Sequence, residues 1–387
     1  MIPRRGFLEE EFKARLMRAQ VLMSHYNIDA LLLSTEPDIR YFTGFLTRFW
    51  ESPTRPWFLL LPQSGKPVAI IPSIGANLMG STWSEDIRTW ASPAQDEVGM
   101  SLLIQCLKDF AGSKGSFGIP SGPETHFRVP LQSYHRITDS FANGSLRDDA
   151  GIVRRLRMVK SKAEIEKIRH ACSIAGRAFD AVPNLVGAGT TLESVFRSFQ
   201  AACLESGADW VSYLAGGANR DGYADVISPA NEKELQEGDI LMLDTGVVWD
   251  GYFCDYNRNF AIGNPSELAS DAHRKLMHAV HAAQAMAKPG IKASDLFHAM
   301  NSIVAKDEKS AASGRMGHGV GMQLTEWPSL MATDDTPIEE GMVLTLEPVI
   351  ETTDGKIMVH EENIVITSDG SEYLSALASN ELTKCEA

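Results

Sequence analysis

Two aspartates eleven residues apart, one on each side of a tight turn, are the first residues in this chain able to do chemistry. In Ile240-Leu-Met-Leu-Asp244-Thr-Gly-Val-Val-Trp249-Asp-Gly-Tyr-Phe-Cys-Asp255, two apolar runs flank Asp250-Gly251. That dipeptide suits a two-residue type I′ hairpin, whose central residues both take positive φ. The turn sets Trp249 against Tyr252 and Val248 against Phe253. Counting back, Gly246 faces Asp255, and Asp244 lies one diagonal step away on the same face. Two like charges on an apolar strand pair are costly without a cation between them, and metal ions supply one. The alternative is that one carboxylate pairs with Arg258 and the other caps a turn.

A second acidic hairpin strengthens the metal reading. Gly341-Met-Val-Leu-Thr-Leu-Glu347-Pro and Lys356-Ile-Met-Val-His-Glu361-Glu-Asn-Ile-Val-Ile-Thr form two strands joined around Thr353-Asp354-Gly355. A three-residue loop with Gly355 left-handed puts Glu347 opposite Glu361, whereas a two-residue turn at Asp354-Gly355 puts Glu362 there. Between the hairpins, glycines around His318 in Gly317-His318-Gly-Val-Gly321 allow close backbone approach and leave the imidazole accessible. Four carboxylates carry −4, two divalent ions carry +4, and a neutral His318 adds one nitrogen ligand. Such a site lowers the pKa of a bridging water while the second ion polarises a carbonyl, which is the chemistry of amide hydrolysis by a metal-bridging hydroxide.

The elements that must position these residues follow an alternating pattern. Helical spacing runs from Glu9 to Tyr26 with Phe12, Leu16, Ala19 and Leu22 on one face, followed by a buried strand at Ala30–Leu33. Trp57–Leu61 and Val68–Ile71 read as a hairpin around Ser64-Gly65, Leu102–Phe110 as a helix, and Phe117–Pro120 as a strand end. This alternation makes residues 1–150 an α/β domain. A capping box at Ser161-Lys-Ala-Glu164 then opens a long helix with Ile165, Ile168, Ala171, Cys172 and Ala175 in one stripe. Residues 151–387 form the second domain, with further helices over about 191–206, 267–288 and 293–306.

With 44% apolar and 22% charged residues and no run long enough to cross a bilayer, the chain reads as a soluble globular enzyme with no membrane partner. A net charge of −14 disfavours nucleic acid as a partner. The basic stretch Arg154, Arg155, Arg157 and Lys160 reads as a solvated face on a linker entering a helix. The five scattered cysteines lack CxxC spacing, and the acidic Glu9-Glu10-Glu11 stands where a signal peptide would be apolar; both point to a cytoplasmic protein with reduced thiols.

Taken together, Asp244, Asp255, His318, Glu347 and Glu361 resemble the ligand set of the pita-bread metallopeptidases: Xaa-Pro aminopeptidases, prolidases, methionine aminopeptidases and the related creatinases. The resemblance covers residues 150–370, and a creatinase-like α/β N-terminal domain extends it to the whole chain, with an α+β pita-bread domain following. It matches the two aspartates with their spacing and Arg258, His318 in Gly-His-Gly, and Glu347 in Glu-Pro. Aligning Ile364-Val-Ile-Thr on the closing apolar run selects Glu361 over Glu362. Metal-free relatives have lost several of these ligands, so retention of all five implies two divalent ions, with Mn, Co, Zn and Fe all suited to the donors. The resemblance also implies that Glu347 is both ligand and catalytic base.

Departures from the pattern bear on the substrate. Thr325 stands where the proline-specific members carry a second histidine seven residues after the ligand, and the loop from Gly216 to Asp225 lacks their upstream histidine. Val359 stands where an arginine is common. Thr325 can still donate one hydrogen bond, and Arg220 or Tyr223 could stand in for the upstream histidine. The segment from Tyr41 to Arg55 resembles one that reaches into the partner's site in a homodimer, with Arg48, Trp50 and Arg55 as carboxylate-binding or shaping residues. The expectation is a homodimeric two-metal hydrolase of a small amide, by default an Xaa-Pro dipeptide. The rivals are a non-peptidase relative (a creatinase-like amidinohydrolase, a hydrolase of a small nitrogen compound or osmolyte, or a lyase) and a non-catalytic binding protein on the same scaffold.

Overall fold

The structure is a computed structural model that describes residues 2–51, 55–93, 97–305, 314–353 and 355–386. It divides into two compact units, one spanning Arg4–Arg157 and the other running from Met158 onward.

The first unit is built on six strands, in the order Asp86–Trp90, Val68–Pro72, Phe58–Pro62, Ala30–Leu33, Phe117–Ile119 and Leu146–Asp148. The central Ala30–Leu33 strand is buried throughout and pairs antiparallel with Phe58–Pro62 and parallel with Phe117–Ile119. Leu32, Phe58, Leu60, Val68 and Ile70 share a core with Leu103 and Leu107 of the Met100–Ala111 helix. The Glu9–Tyr26 helix starts with three glutamates, where the helix dipole favours negative charge, and ends on Asn27 at φ 54°. Its buried face is Phe12, Leu16, Ala19 and Met23, with Leu22 half-buried.

The second unit carries the acidic residues. The capping box forms as expected: the Ser161 hydroxyl accepts from the Glu164 N–H and starts the Lys162–Ala181 helix. One sheet orders its main strands as Thr383–Cys385, Tyr256–Ile262, Asp239–Trp249 and Trp210–Arg220. A second orders Glu326–Met331, Arg315–Gly319, Val343–Leu346, Glu362–Ile366 and Ser371–Tyr373. Helices Glu267–Met286 and Ala293–Val304 share an apolar core with Ile240 and Met242 of the first sheet and Leu344, Leu346, Ile364 and Ile366 of the second. Asp244 continues the alternation of Ile240 and Met242, so an acidic residue ends an apolar row. The last residue of the expected 293–306 helix lies outside the described residues.

Two expectations are corrected here. The run from Gly216 to Arg220 is part of the Trp210–Arg220 strand and not a loop: it pairs antiparallel with Asp239–Trp249, Gly216 facing Leu243 and Arg220 facing Asp239. The basic stretch is not a solvated face. Arg157 pairs with Asp38 at 2.7 Å and Lys160 with Glu326 at 3.2 Å, and of the four only Arg155 is exposed. A row of cations cannot reveal acids that lie over a hundred residues away in the chain. All five cysteines are free and buried. Among the described residues no helix is long and apolar enough to cross a membrane.

Candidate metal centre

The first hairpin adopts the expected register. Trp249 faces Tyr252 and Val248 faces Phe253, across Asp250 at φ 48° and Gly251 at φ 78°. The same offset holds beyond, where Thr245 faces Tyr256 and Asp244 faces Asn257. Gly246 therefore falls opposite Asp255. Between the two short runs of pairing, Asp255 leaves the ladder, and its backbone is held instead by the Asn363 side chain, whose Oδ1 accepts from the Asp255 N–H at 3.0 Å.

His318 lies on the Arg315–Gly319 strand. Gly317 sits at φ 134°, and a Cβ there would come within 2.2 Å of the Thr345 carbonyl oxygen, so only glycine lets the strands approach. The His318 N–H donates to the Thr345 hydroxyl at 3.1 Å. The imidazole Nδ1 lies 2.9 Å from the Gly319 carbonyl, which can only accept, so Nδ1 carries the proton and Nε2 keeps its lone pair. That Nε2 is 3.4 Å from Asp255 Oδ2. Burial, aided by the charge of Arg315, lowers the imidazole to about 3, so it stays neutral.

The second hairpin reconciles the two turn geometries. Thr353 faces Lys356 across the turn, with Gly355 at φ 73°, and a bulge between Glu351 and Thr353 then restores the offset of the longer loop. Asp354 lies outside the described residues. From the bulge on, Glu351 faces Ile357, Val349 faces Val359, and Leu346 faces Glu362. Continuing that offset sets Glu347 opposite Glu361. Glu362 turns elsewhere and pairs with Arg258 at 3.0 Å. Arg258 is thus committed to Glu362 and pairs with neither aspartate.

Ligand atoms of Asp255, His318 and Glu361 all lie within 4.8 Å of one another, and all three residues are buried. Asp244 and Glu347 border this trio electrostatically. Burial and then the charge of Glu347 push Asp244 up to about 8; burial pushes Glu347 up to about 7, against the pull of Arg315. Burial, followed by their acidic neighbours, drives Asp255 and Glu361 well above the carboxylate range. Glu362 behaves oppposite in sign: burial would raise it, but Arg258 and then His360 overcome that and bring it to about 2. Asp244 Oδ1 and Glu361 Oε1 are buried without a hydrogen-bond partner. Orphaned anionic oxygens facing like charges are what a bound cation relieves, so this donor set fits divalent metal.

A sign follows for the metal-free protein. Groups raised in the folded state hold protons that the unfolded chain has lost, so their stabilisation fades as pH rises through the folded values. Below pH 6.5, His318 and His273, lowered to about 3 and about 4, act in the opposite direction. The expected result is a melting temperature of chelator-treated protein that falls from pH 6.5 to 8.5, a fall that saturating Mn²⁺ removes. A flat or rising metal-free profile would contradict the electrostatic account.

The remaining candidates separate. Thr325 accepts a hydrogen bond from Arg315 Nη2 at 3.2 Å. Arg315, three residues before His318, is exposed, and its charge acts on Asp255 and Glu347. Tyr213 faces Gly246 and feels all four carboxylates, with its hydroxyl donating to the Val226 carbonyl at 3.1 Å. Sequence reasoning missed both Arg315 and Tyr213. The bulged register of the histidine strand and the pairing of Trp210–Arg220 bring them in, and neither is written locally. Arg220 is exposed at the strand end, five residues from the Ala215 that faces Asp244, about 16 Å at the rise of a strand. Tyr223 is buried, its hydroxyl bonded to Asn259 and to the Val359 backbone. Val359 is buried and closes the Lys356–Val359 strand. In the other unit, Arg48 and Trp50 lie on a 3₁₀ turn at Arg48–Glu51. There Trp50 packs on Phe45 and Trp57, and Arg55 lies 5.7 Å over the Phe49 ring. Ser52, Pro53 and Thr54 between them lie outside the described residues.

Comparison with known proteins bears on the family and the fold. Residues 166–369 match the sequence profile of metallopeptidase family M24, and residues 15–159 that of the creatinase/prolidase N-terminal domain. An uncharacterised peptidase of Staphylococcus aureus is 25% identical over 361 residues, covering 91% of this chain and 96% of its own. In fold, the chain is similar to the dipeptidase PepE of Mycobacterium ulcerans, with TM-score 0.84, 24% identity, and 99% and 100% of the two chains covered. It is also similar in fold to the prolidase of Pyrococcus horikoshii OT3, with TM-score 0.81, 23% identity, and 94% and 99% covered.

Proposed function

The chain belongs to metallopeptidase family M24 and is a metallohydrolase of creatinase-like and pita-bread architecture, and on that premise we propose that it is a two-metal hydrolase of a small amide, with an Xaa-Pro dipeptide as substrate. Asp244, Asp255, His318, Glu347 and Glu361 would hold the ions. The observation that carries this reading is the set of three buried carboxylates, two with orphaned oxygens, and the half-buried Glu347 around one neutral imidazole. When bound, two divalent ions of the Mn, Co, Zn or Fe kind supply acidity toward water and polarise the scissile carbonyl.

The chain's own groups do the rest. Glu347 would accept a proton from the attacking water and return it to the leaving nitrogen, the role that the family resemblance gives it. Burial keeps His318 neutral, and Gly319, by accepting its Nδ1 proton, fixes the tautomer and the ring orientation. The Thr325 hydroxyl, held by Arg315, offers the substrate one hydrogen bond at the position where related enzymes carry a histidine. The proposal includes a homodimer.

The test is turnover of Xaa-Pro dipeptides, and of a panel of small amides and guanidino compounds, by protein reconstituted with Mn²⁺, Co²⁺ or Zn²⁺. The expected result is Xaa-Pro cleavage that chelation abolishes. Tight metal binding with no dipeptide cleaved, but turnover of another amide or guanidino compound, would shift the reading to a non-peptidase hydrolase. Thr325 in place of a histidine favours that second reading.

A further inference from the structure

Of the two residues after Glu361, Glu362 pairs with Arg258 and Asn363 reaches the backbone of Asp255. The Asn363 side-chain amide grips both polar backbone groups of Asp255: Oδ1 accepts the Asp255 N–H at 3.0 Å, and Nδ2 donates to the Asp255 carbonyl. It takes over the pairing that the strand gives up at Asp255, one residue after the Cys254 N–H has donated to the Val247 carbonyl at 3.0 Å. Asn363 is itself held by the Ser375 hydroxyl, which accepts its N–H at 3.0 Å.

Arg258 does the equivalent for Glu361. Nη1 donates to the Glu361 carbonyl at 3.1 Å and to the Asn257 carbonyl at 2.7 Å, while Nη2 donates to Glu362 Oε2 at 3.0 Å and to the Ala376 carbonyl. Glu362 is 0% exposed and also accepts from His360 Nε2 at 3.0 Å, the Ala378 N–H at 3.2 Å and the Ser375 hydroxyl. The carboxylate beside Glu361 is therefore fully occupied as an anchor for the guanidinium, whose planar fork spans two acceptors at once.

We propose that Arg258, Glu362 and Asn363 are positioning residues that fix the Asp255–Glu361 pair against its own charge repulsion, ready for metal. The proposal rests on the metal-centre reading above. Partners of this kind, one bond removed from a metal, typically set affinity by about 10–100-fold. The backbone clamps matter because two buried like charges relax apart unless something other than the metal holds them.

Calorimetric titration of metal-free, full-length protein with Mn²⁺ tests this, paired with the metal-free unfolding midpoint. Arg258→Met/Glu362→Gln removes both charges together while the glutamine oxygen keeps an acceptor for the His360, Ser375 and Ala378 donors, and it deletes the grip on Glu361. Arg258→Lys keeps the charge facing Glu362 but loses the fork. The expected result for both, and for Asn363→Ala, is Mn²⁺ affinity about 10–100-fold weaker at a metal-free midpoint that does not track the loss. Ser375→Ala, which deletes one hydroxyl, is the mildest variant and should weaken affinity at least several-fold. Variants that fold and bind Mn²⁺ as tightly as wild type would overturn the positioning role and leave the metal centre standing. Wild-type protein that binds no Mn²⁺, Co²⁺ or Zn²⁺ would overturn both.

Discussion

Asp255→Asn is expected to lower kcat/KM by at least about 10⁴-fold, because metal polarisation contributes several kcal/mol and each 1.36 kcal/mol is tenfold. Asp255 is the hub of the site: its Oδ2 lies 3.4 Å from His318 Nε2, and it shares the tight trio with Glu361. Asparagine has nearly the same shape, and the backbone stays gripped by Asn363, so the fold should persist. One negative charge and one strong donor are lost, and metal content should drop below two ions per chain. The metal-free variant should melt higher than metal-free wild type, because burial and the neighbouring acids already hold Asp255 in an unfavourable ionisation state. Activity lost while metal-free stability rises is a signature that general unfolding cannot mimic. Retained turnover with two ions bound would remove Asp255 from the mechanism.

Lys160→Met is expected to cost about 3–5 kcal/mol of stability, the usual result of leaving one buried charge without its partner. Lys160 and Glu326 are 3.2 Å apart with side chains 1% and 6% exposed. The Lys160 ammonium also donates to the Met158 carbonyl at 3.3 Å. Glu326 Oε1 accepts from the Met322 and Gln323 N–H groups at 2.9 and 3.2 Å, closing the loop between the Arg315–Gly319 and Glu326–Met331 strands. The buried carboxylate would lose its cation at the foot of this loop, and the loss should appear in the denaturant midpoint of this unit. Lys160→Met/Glu326→Gln should recover most of it, since glutamine keeps an acceptor for the loop without the charge. A single-mutant cost under about 1 kcal/mol, the range of an exposed pair, would show that the pair is not buried in solution.

The site was legible in proportion to how local its geometry is. Asp244 and Asp255 converge through a single hairpin, and a hairpin's register follows from its turn residues, so Asp250-Gly251 was enough. Gly317 was readable as a close approach because only glycine tolerates it. The Gly216–Arg220 run was misread because glycine and alanine in sequence look like a loop. Those small residues are present because a Cβ at Gly216 would meet the Met242 carbonyl at 2.5 Å and the Phe196 ring at 2.9 Å, constraints that come from two other elements.

By itself, then, the sequence determined an acidic two-hairpin site around one histidine, an α/β domain followed by a mixed α and β domain, and the capped helix near the start of the second. Each of these is written in spacing, turn chemistry and periodicity that act over a few residues. Turn chemistry alone left Glu361 and Glu362 both open and the family resemblance selected Glu361; the tertiary structure supplies the physical reason, since a bulge beside Thr353 sets that register and Arg258, about a hundred residues upstream, pairs with Glu362. Only the tertiary structure placed Arg315 and Tyr213 at the site and took Lys160 out of solvent. Charges pair and strands align across distances along the chain that no local pattern records, and the balance of burial against pairing is settled only when those partners meet.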